Sequence, residues 1–248
     1  KVSSTLMISS GEDTRTTSRT EFIEGLELTT QNKEVHNEIM VLKSQPLIEN
    51  VVKSLGFQVS YYSKADYLPY RFAGFKSFSK YFFRNIYKSS PYEVVIDHTS
   101  PQAVNVNFNI DILSNDEFSL SIKEEDIDIY DYVSDRIVYT KDDHKDIFIN
   151  DRFNFGEEIK GPNFSFKVFL KSSYNNEYQD KDLYFSFNNI KSLASSYKTA
   201  LEIVPSDEKA TVVSIAFEGP SISKCTEFVN GITNEYLQKD LAKKNYLA

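Results

Sequence analysis

Between Tyr92 and about Phe187 the chain is written with a period of two. The runs YEVVI, AVNVNFNI, FSLSI, RIVYT, DIFIN, FSFKVFL and LYFSF follow one another, separated by clusters of Asn, Asp, Ser, Gly and Pro. A helix repeats every 3.6 residues, so this spacing excludes a helical bundle for the middle of the chain and demands β-sheet. The stretch from Val104 to Ile110 alternates strictly. It predicts one strand with Val104, Val106, Phe108 and Ile110 facing a core and Asn105, Asn107 and Asn109 facing water, as in an antiparallel sheet with one wet side.

The two ends obey a different period. Val2 to Ser9 reads as a strand and is followed by a polar, turn-rich loop. Val35, Ile39 and Leu42, then Ile48, Val51, Val52 and Leu55, recur at three and four residues. Pro46 interrupts the run, and proline is tolerated in the first turn of a helix but not in its interior. Two helices are therefore expected, about Lys33 to Lys43 and Pro46 to Leu55, with Ser44 as N-cap and Gly56 as C-terminal cap. Phe57 to Tyr62 reads as a strand. After Asn188 come a short helix to about Tyr197, the strands Leu201 to Val204 and Thr211 to Phe217, and a turn at Gly219 and Pro220. A last helix carries Cys225, Phe228, Val229, Ile232, Tyr236 and Leu241 on one face. The expected fold class is α+β: an α/β domain of residues 1–90 with 188–248, and an inserted, antiparallel β-rich domain of residues 91–187.

At 248 residues, with 40% hydrophobic and 26% charged side chains, the chain has enough apolar material for a sizeable core. Its net charge of −8 is spread without a basic block, which disfavours nucleic acid as a partner. No apolar run approaches the ~18 to 20 residues of a membrane-spanning helix. The aromatic and basic stretch that runs to Lys88 reads as buried aromatic packing in preference to a stacking platform. Lys at position 1 and a helix still running at Ala248 read as an excised part of a longer chain.

Chemistry is sparse. Cys225 is the only cysteine, so no disulfide framework or multi-thiolate zinc site exists, and its place on an apolar helical stripe marks it as core. His36, His98 and His144 stand far apart, with no second ligand at a metal spacing. Asp126 and Asp128 have the spacing that opens a calcium loop, but the required glycine and glutamate positions hold Asp131 and Ile137. Phosphate-binding glycine loops, a GxSxG elbow and an HExxH helix are absent. Catalytic, cofactor-binding and metal residues are all expected to be none, and the segment is not expected to be an enzyme. A carboxylate pair for glycoside hydrolysis is a matter of spatial separation, which sequence does not give.

Two segments carry a resemblance. The run Asn37 to Tyr62, with Asn37, Glu38, Ile39, Leu42, Ser44 and Leu47 in an N-E-I-x-x-L-x-S-x-x-L pattern, resembles the N-terminal periplasmic part of polysaccharide co-polymerases. These are the Wzz-type chain-length determinants, above all those fused to a cytoplasmic tyrosine autokinase. Gly219 and Pro220 followed by the helix from Phe228, with Tyr236, Lys239 and Lys244, resembles the start of the family's long helical arm. The resemblance implies the periplasmic portion of an inner-membrane protein that forms a homo-oligomeric ring. It also implies work with a polymerase and an outer-membrane export protein to set the length or export of capsular polysaccharide or exopolysaccharide. The kinase domain of the fused members falls outside these residues. The alternative reading is a carbohydrate-binding β module of a cell-envelope protein, with Tyr130, Tyr132 and Tyr139 as candidate glycan contacts.

Overall fold

The computed structural model describes residues 1–8, 33, 35–64, 83–175, 178, 181–206 and 212–247. The polar loop expected after the first strand and most of the aromatic and basic stretch before Lys88 lie outside them. The protein is mixed α/β, with helices and several sheets. It divides into two compact units, one made of Lys1–Leu55 with Ser192–Ala248, the other of Gly56–Lys191.

The first unit is built from both chain ends. Strand β1 (Val2–Met7) pairs antiparallel with β15 (Val212–Phe217), and β15 pairs with β14 (Leu201–Pro205), giving a three-stranded sheet. Four helices accompany the described strands: α1 (35–42), α2 (Gln45–Ser54), α3 (Ile190–Ala200) and α4 (Ile222–Leu247). Helix α2 begins with Pro46 in its first turn, where its missing N–H costs nothing. Ser44 occupies the N-cap with an extended backbone, but its hydroxyl makes no capping bond. Its carbonyl instead accepts the Ile48 amide at 3.2 Å. Gly56 follows the helix at φ +66°, the left-handed conformation in which a side chain is strained and glycine is not. The α2 face of Leu47, Ile48, Val51 and Val52 is buried. On α4, Cys225, Phe228, Val229, Ile232 and Tyr236 are buried, and Phe228 meets Phe217 and Tyr197 at centroid distances of 4.5 and 4.7 Å. Leu241, expected on that stripe, is 59% exposed, because the buried face of α4 ends at Tyr236.

The second unit holds two sheets. The larger has β10 (Ile147–Asn154), β7 (Glu117–Glu124), β6 (Phe108–Ile112), β13 (Leu183–Phe187), β5 (Gln102–Val104), β8 (Asp128–Asp131) and β9 (Arg136–Tyr139) in that order. Strand β2 (Val59–Lys64) also pairs with β13, and β3 (Phe83–Asn85) pairs with β2. The smaller sheet runs β11 (Glu158–Gly161), β12 (Phe164–Leu170), β4 (Tyr92–Ile96). Its Phe166 lies 5.5 Å from Phe185 and 5.6 Å from Phe108 of the larger sheet, and Phe108 stacks on Phe185 at 4.8 Å. The offset and edge-to-face contacts of this aromatic layer add to plain burial.

Two expectations change here. The run Val104 to Ile110 is not one strand: Asn105 adopts φ +60°, β5 stops at Val104, and β6 starts at Phe108. Asparagine tolerates the left-handed region better than other side chains, so alternation continues in the letters while the backbone turns. That turn lets Val104 pair parallel with Phe187 of β13, while β6 pairs antiparallel with the same strand, so the sheet is mixed. The second concerns boundaries. The unit that holds the β block begins at Gly56, upstream of the expected 91, because β2 hydrogen-bonds along the whole of β13.

Candidate functional site

Within the end-built unit, the residues of the first motif lie on α1 and at the start of α2. Leu42 and Leu47 are fully buried and hold those helices to their unit, Ile39 and Ser44 are half-buried, and Asn37 is exposed. Glu38 reaches the second motif: the Tyr236 hydroxyl of α4 donates to its carboxylate at 3.0 Å. Burial, then the neighbouring Glu38 carboxylate, pushes the Tyr236 hydroxyl well above its ordinary range, so it stays a donor at any physiological pH. Asn50 donates to Glu235 at 3.3 Å, and Glu235 pairs with Lys239 at 3.6 Å.

The approach of α2 to α4 depends on Gly231. A methyl group there would lie 2.8 Å from Val51 Cγ1 and 3.2 Å from Leu55 Cδ1. Sequence reading missed Gly231, although a glycine in the middle of an otherwise unbroken helical pattern is itself a signal of close packing. Met40 and Val41 on α1 and Leu237, Leu241 and Tyr246 on α4 are exposed apolar side chains.

The three tyrosines proposed for glycan contact do not form a platform. Tyr130 is fully buried, with its hydroxyl on Asp135 and its ring 5.0 Å from Tyr132. Tyr132 is half-buried and donates to the Asn188 carbonyl at 2.7 Å, while burial raises its hydroxyl far above the usual range. Only Tyr139 is exposed, beneath the Lys145 ammonium at 4.8 Å. The Asn188 side chain in turn donates to the Phe57 carbonyl at 2.7 Å and Ser60 Oγ at 2.9 Å, so Tyr132 belongs to a structural network.

One pair of carboxylates shares a cavity of about 130 Å³, walled by Asp97, Glu158, Ser165 and Phe166 among others. Ser165 Oγ donates to Glu158 at 3.3 Å. The Thr99 hydroxyl and amide, with the Ser100 hydroxyl, hold the Asp97 carboxyl down to about 2. That keeps Asp97 ionised, the opposite of the raised carboxyl that glycoside cleavage needs as its acid. Behind it the buried Gln102 amide donates to Ser165 O at 2.7 Å and accepts from Ser165 N at 3.2 Å, fastening β5 to β12.

His36, His98 and His144 are exposed, and His144 Nδ1 lies 2.6 Å from an Asp126 carboxylate oxygen, which raises the imidazole's affinity for protons. Cys225 is buried, as its helical position predicts, and burial pushes its thiol up. Among the described residues no group of three or more His, Cys, Asp or Glu is placed to hold a metal ion, and no helix is long and apolar enough to cross a membrane. No protein-family model matches the sequence, and comparison with curated proteins finds no match.

Proposed function

We propose that this segment is the periplasmic scaffold domain of an inner-membrane polysaccharide co-polymerase. In this reading the α/β domain built from both chain ends lies near the membrane and carries the β-rich block as an insertion. The observation that carries the reading is the meeting of the two resembling segments: Glu38 of the first accepts a hydrogen bond from the Tyr236 hydroxyl of the second, 198 positions away in sequence. A scaffold needs rigid packing between its ends and a surface left over for its neighbours. The buried Leu42, Leu47 and Ile232 supply the first, and the exposed Met40, Val41, Leu237 and Leu241 supply the second. A ring of identical subunits uses heterologous contacts that close by rotation, and such a surface on α1 and α4 suits one.

The test is made in the parent gene. Removing the codons for this segment alters the length distribution of the surface polymer or abolishes the polymer. A distribution unchanged from the parent strain overturns the reading.

A further inference from the structure

Strand β10 closes one end of the large sheet: β7 pairs with it on one side, and among the described residues no strand pairs with it on the other. In an antiparallel pair, alternate residues turn both backbone groups toward the neighbouring strand and the residues between turn theirs away. The Phe155 amide, one residue past β10, donates to the Asp116 carbonyl at 2.9 Å and so continues the ladder to β7. The odd-numbered positions of β10 therefore bond to β7, and the backbone groups of Phe148, Asn150, Arg152 and Asn154 point away from the sheet. Neighbouring carboxylates take two of those amides: Arg152 N donates to Asp151 at 2.8 Å and Asn154 N to Glu157 at 3.0 Å. The amides of Phe148 and Asn150 have no partner among the described residues.

An unpaired edge is a template for another strand, and proteins commonly blunt it with proline, lysine or a bulge. None of these occurs in the eight residues of β10, and only its second half is capped by carboxylates. In its first half Phe148 is 71% exposed. A second copy of the same strand fits this pattern. Antiparallel copies related by a two-fold axis normal to the sheet keep their faces aligned when the axis passes through one residue and its copy. With the axis at Ile149, Phe148 lies opposite Asn150 of the other copy, and only the open amides are used. An axis at Asn150 or Asp151 requires the Arg152 amide that Asp151 holds, and an axis at Phe148 sets Arg152 against His144. With the axis at Ile149, the exposed Asp146 and Arg152 of each copy lie opposite their counterparts of unlike charge in the other. The two Phe148 rings become diagonal neighbours on the exposed face, about 7–8 Å apart and within reach of aromatic side chains.

We propose that β10 is a self-association edge at which two copies of this chain join their large sheets antiparallel. Phe148 and Asn150 of the two copies exchange backbone hydrogen bonds, the Phe148 rings meet across the axis, and Asp146 pairs with Arg152 on both sides of it. The contact is isologous, so it consumes both edges and closes at two copies. It buries one strand edge and a pair of rings, far short of the area of a permanent dimer, so the association is weak and shows at high protein concentration. It stands or falls separately from the scaffold reading, because β10 belongs to a different unit from α1 and α4 and has its own variants.

The test is sedimentation equilibrium of the 248-residue protein from about 10 µM to about 1 mM, a span that reaches millimolar dissociation constants. The expected result is a mass that rises from 28.6 kDa toward that of a dimer. Asn150→Pro removes an outward amide without removing a bond to β7, a position at which an edge strand tolerates proline, and is expected to weaken the association about tenfold or more. Arg152→Asp, which sets like charges opposite Asp146, is expected to weaken it as well, and combining it with Asp146→Lys to restore it, a rescue that a merely structural role would not give. Leu237→Glu with Leu241→Glu leaves it unchanged, and the thermal midpoint of each variant verifies folding. A mass fixed at that of the monomer, association untouched by Asn150→Pro in a folded variant, failure of the charge exchange to restore what Arg152→Asp loses, or association lost in the leucine variant overturns the proposal.

Discussion

Lys224, in the first turn of α4, is 7% exposed, and burial lowers its amine from 10.5 to about 8. The folded state therefore binds fewer protons than the unfolded chain between those values, so stability rises as pH climbs through that window, and below pH 8 the full cost of burying the cation is present. Lys224→Met removes the titrating amine, so urea denaturation of the variant is expected to lack the rise in stability that the parent gains between pH 8 and 10.5. A variant that keeps that rise contradicts the assignment. Asp97 has the opposite linkage: its depressed carboxyl contributes stability above pH 3.8 that is lost as pH falls toward about 2. Thr99→Val should return its titration, followed by NMR, toward 3.8, and an unmoved midpoint would contradict the role given to Thr99. At this scale the sequence was legible where chemistry is local. Cys225 and Gly56 follow from their helical positions, whereas Tyr130 and Tyr132 do not reveal which way they face, because alternation fixes a face but not which face is inside.

Among the elements, the contact of α2 with α4 is the most exacting. Gly231→Leu drives side-chain atoms into Val51 and Leu55 and should cost about 1–3 kcal/mol or more, measured as a lowered denaturation midpoint with the helical circular dichroism retained at low temperature. A midpoint equal to the parent's would mean that the helices separate freely. Helix and strand periods were readable along most of the described chain: β1, α2, β4, β7, β12 and α4 stand close to where apolar spacing puts them. The break at Asn105 was not readable, because a single left-handed residue leaves the apolar pattern intact while ending the strand. Strand β2 runs from Val59 to Lys64 and not from Phe57 to Tyr62, since Phe57 is an aromatic buried in a turn and carries the same β propensity as the strand that follows.

For the molecule as a whole, the arrangement of the two units was only partly legible. A change of period separates the middle of the chain from its ends, but the assignment of residues 56–64 to the β-rich unit depends on the pairing of β2 with β13, more than 100 positions away, which no local pattern encodes. The face of the large sheet has the same origin: Tyr62, Asn109 and Asn150 lie in three unconnected runs and share one row only through register. The central claim is that the end-built unit is an assembly scaffold for polymer synthesis. It is tested most directly by introducing Leu237→Glu with Leu241→Glu into the full-length protein and comparing the surface polymer on gels with that of the parent strain, at matched protein levels. Both leucines are exposed on α4, so the substitutions spare the fold and load the proposed contact surface with charge. The account predicts a shifted or collapsed length distribution; a distribution identical to the parent's contradicts it.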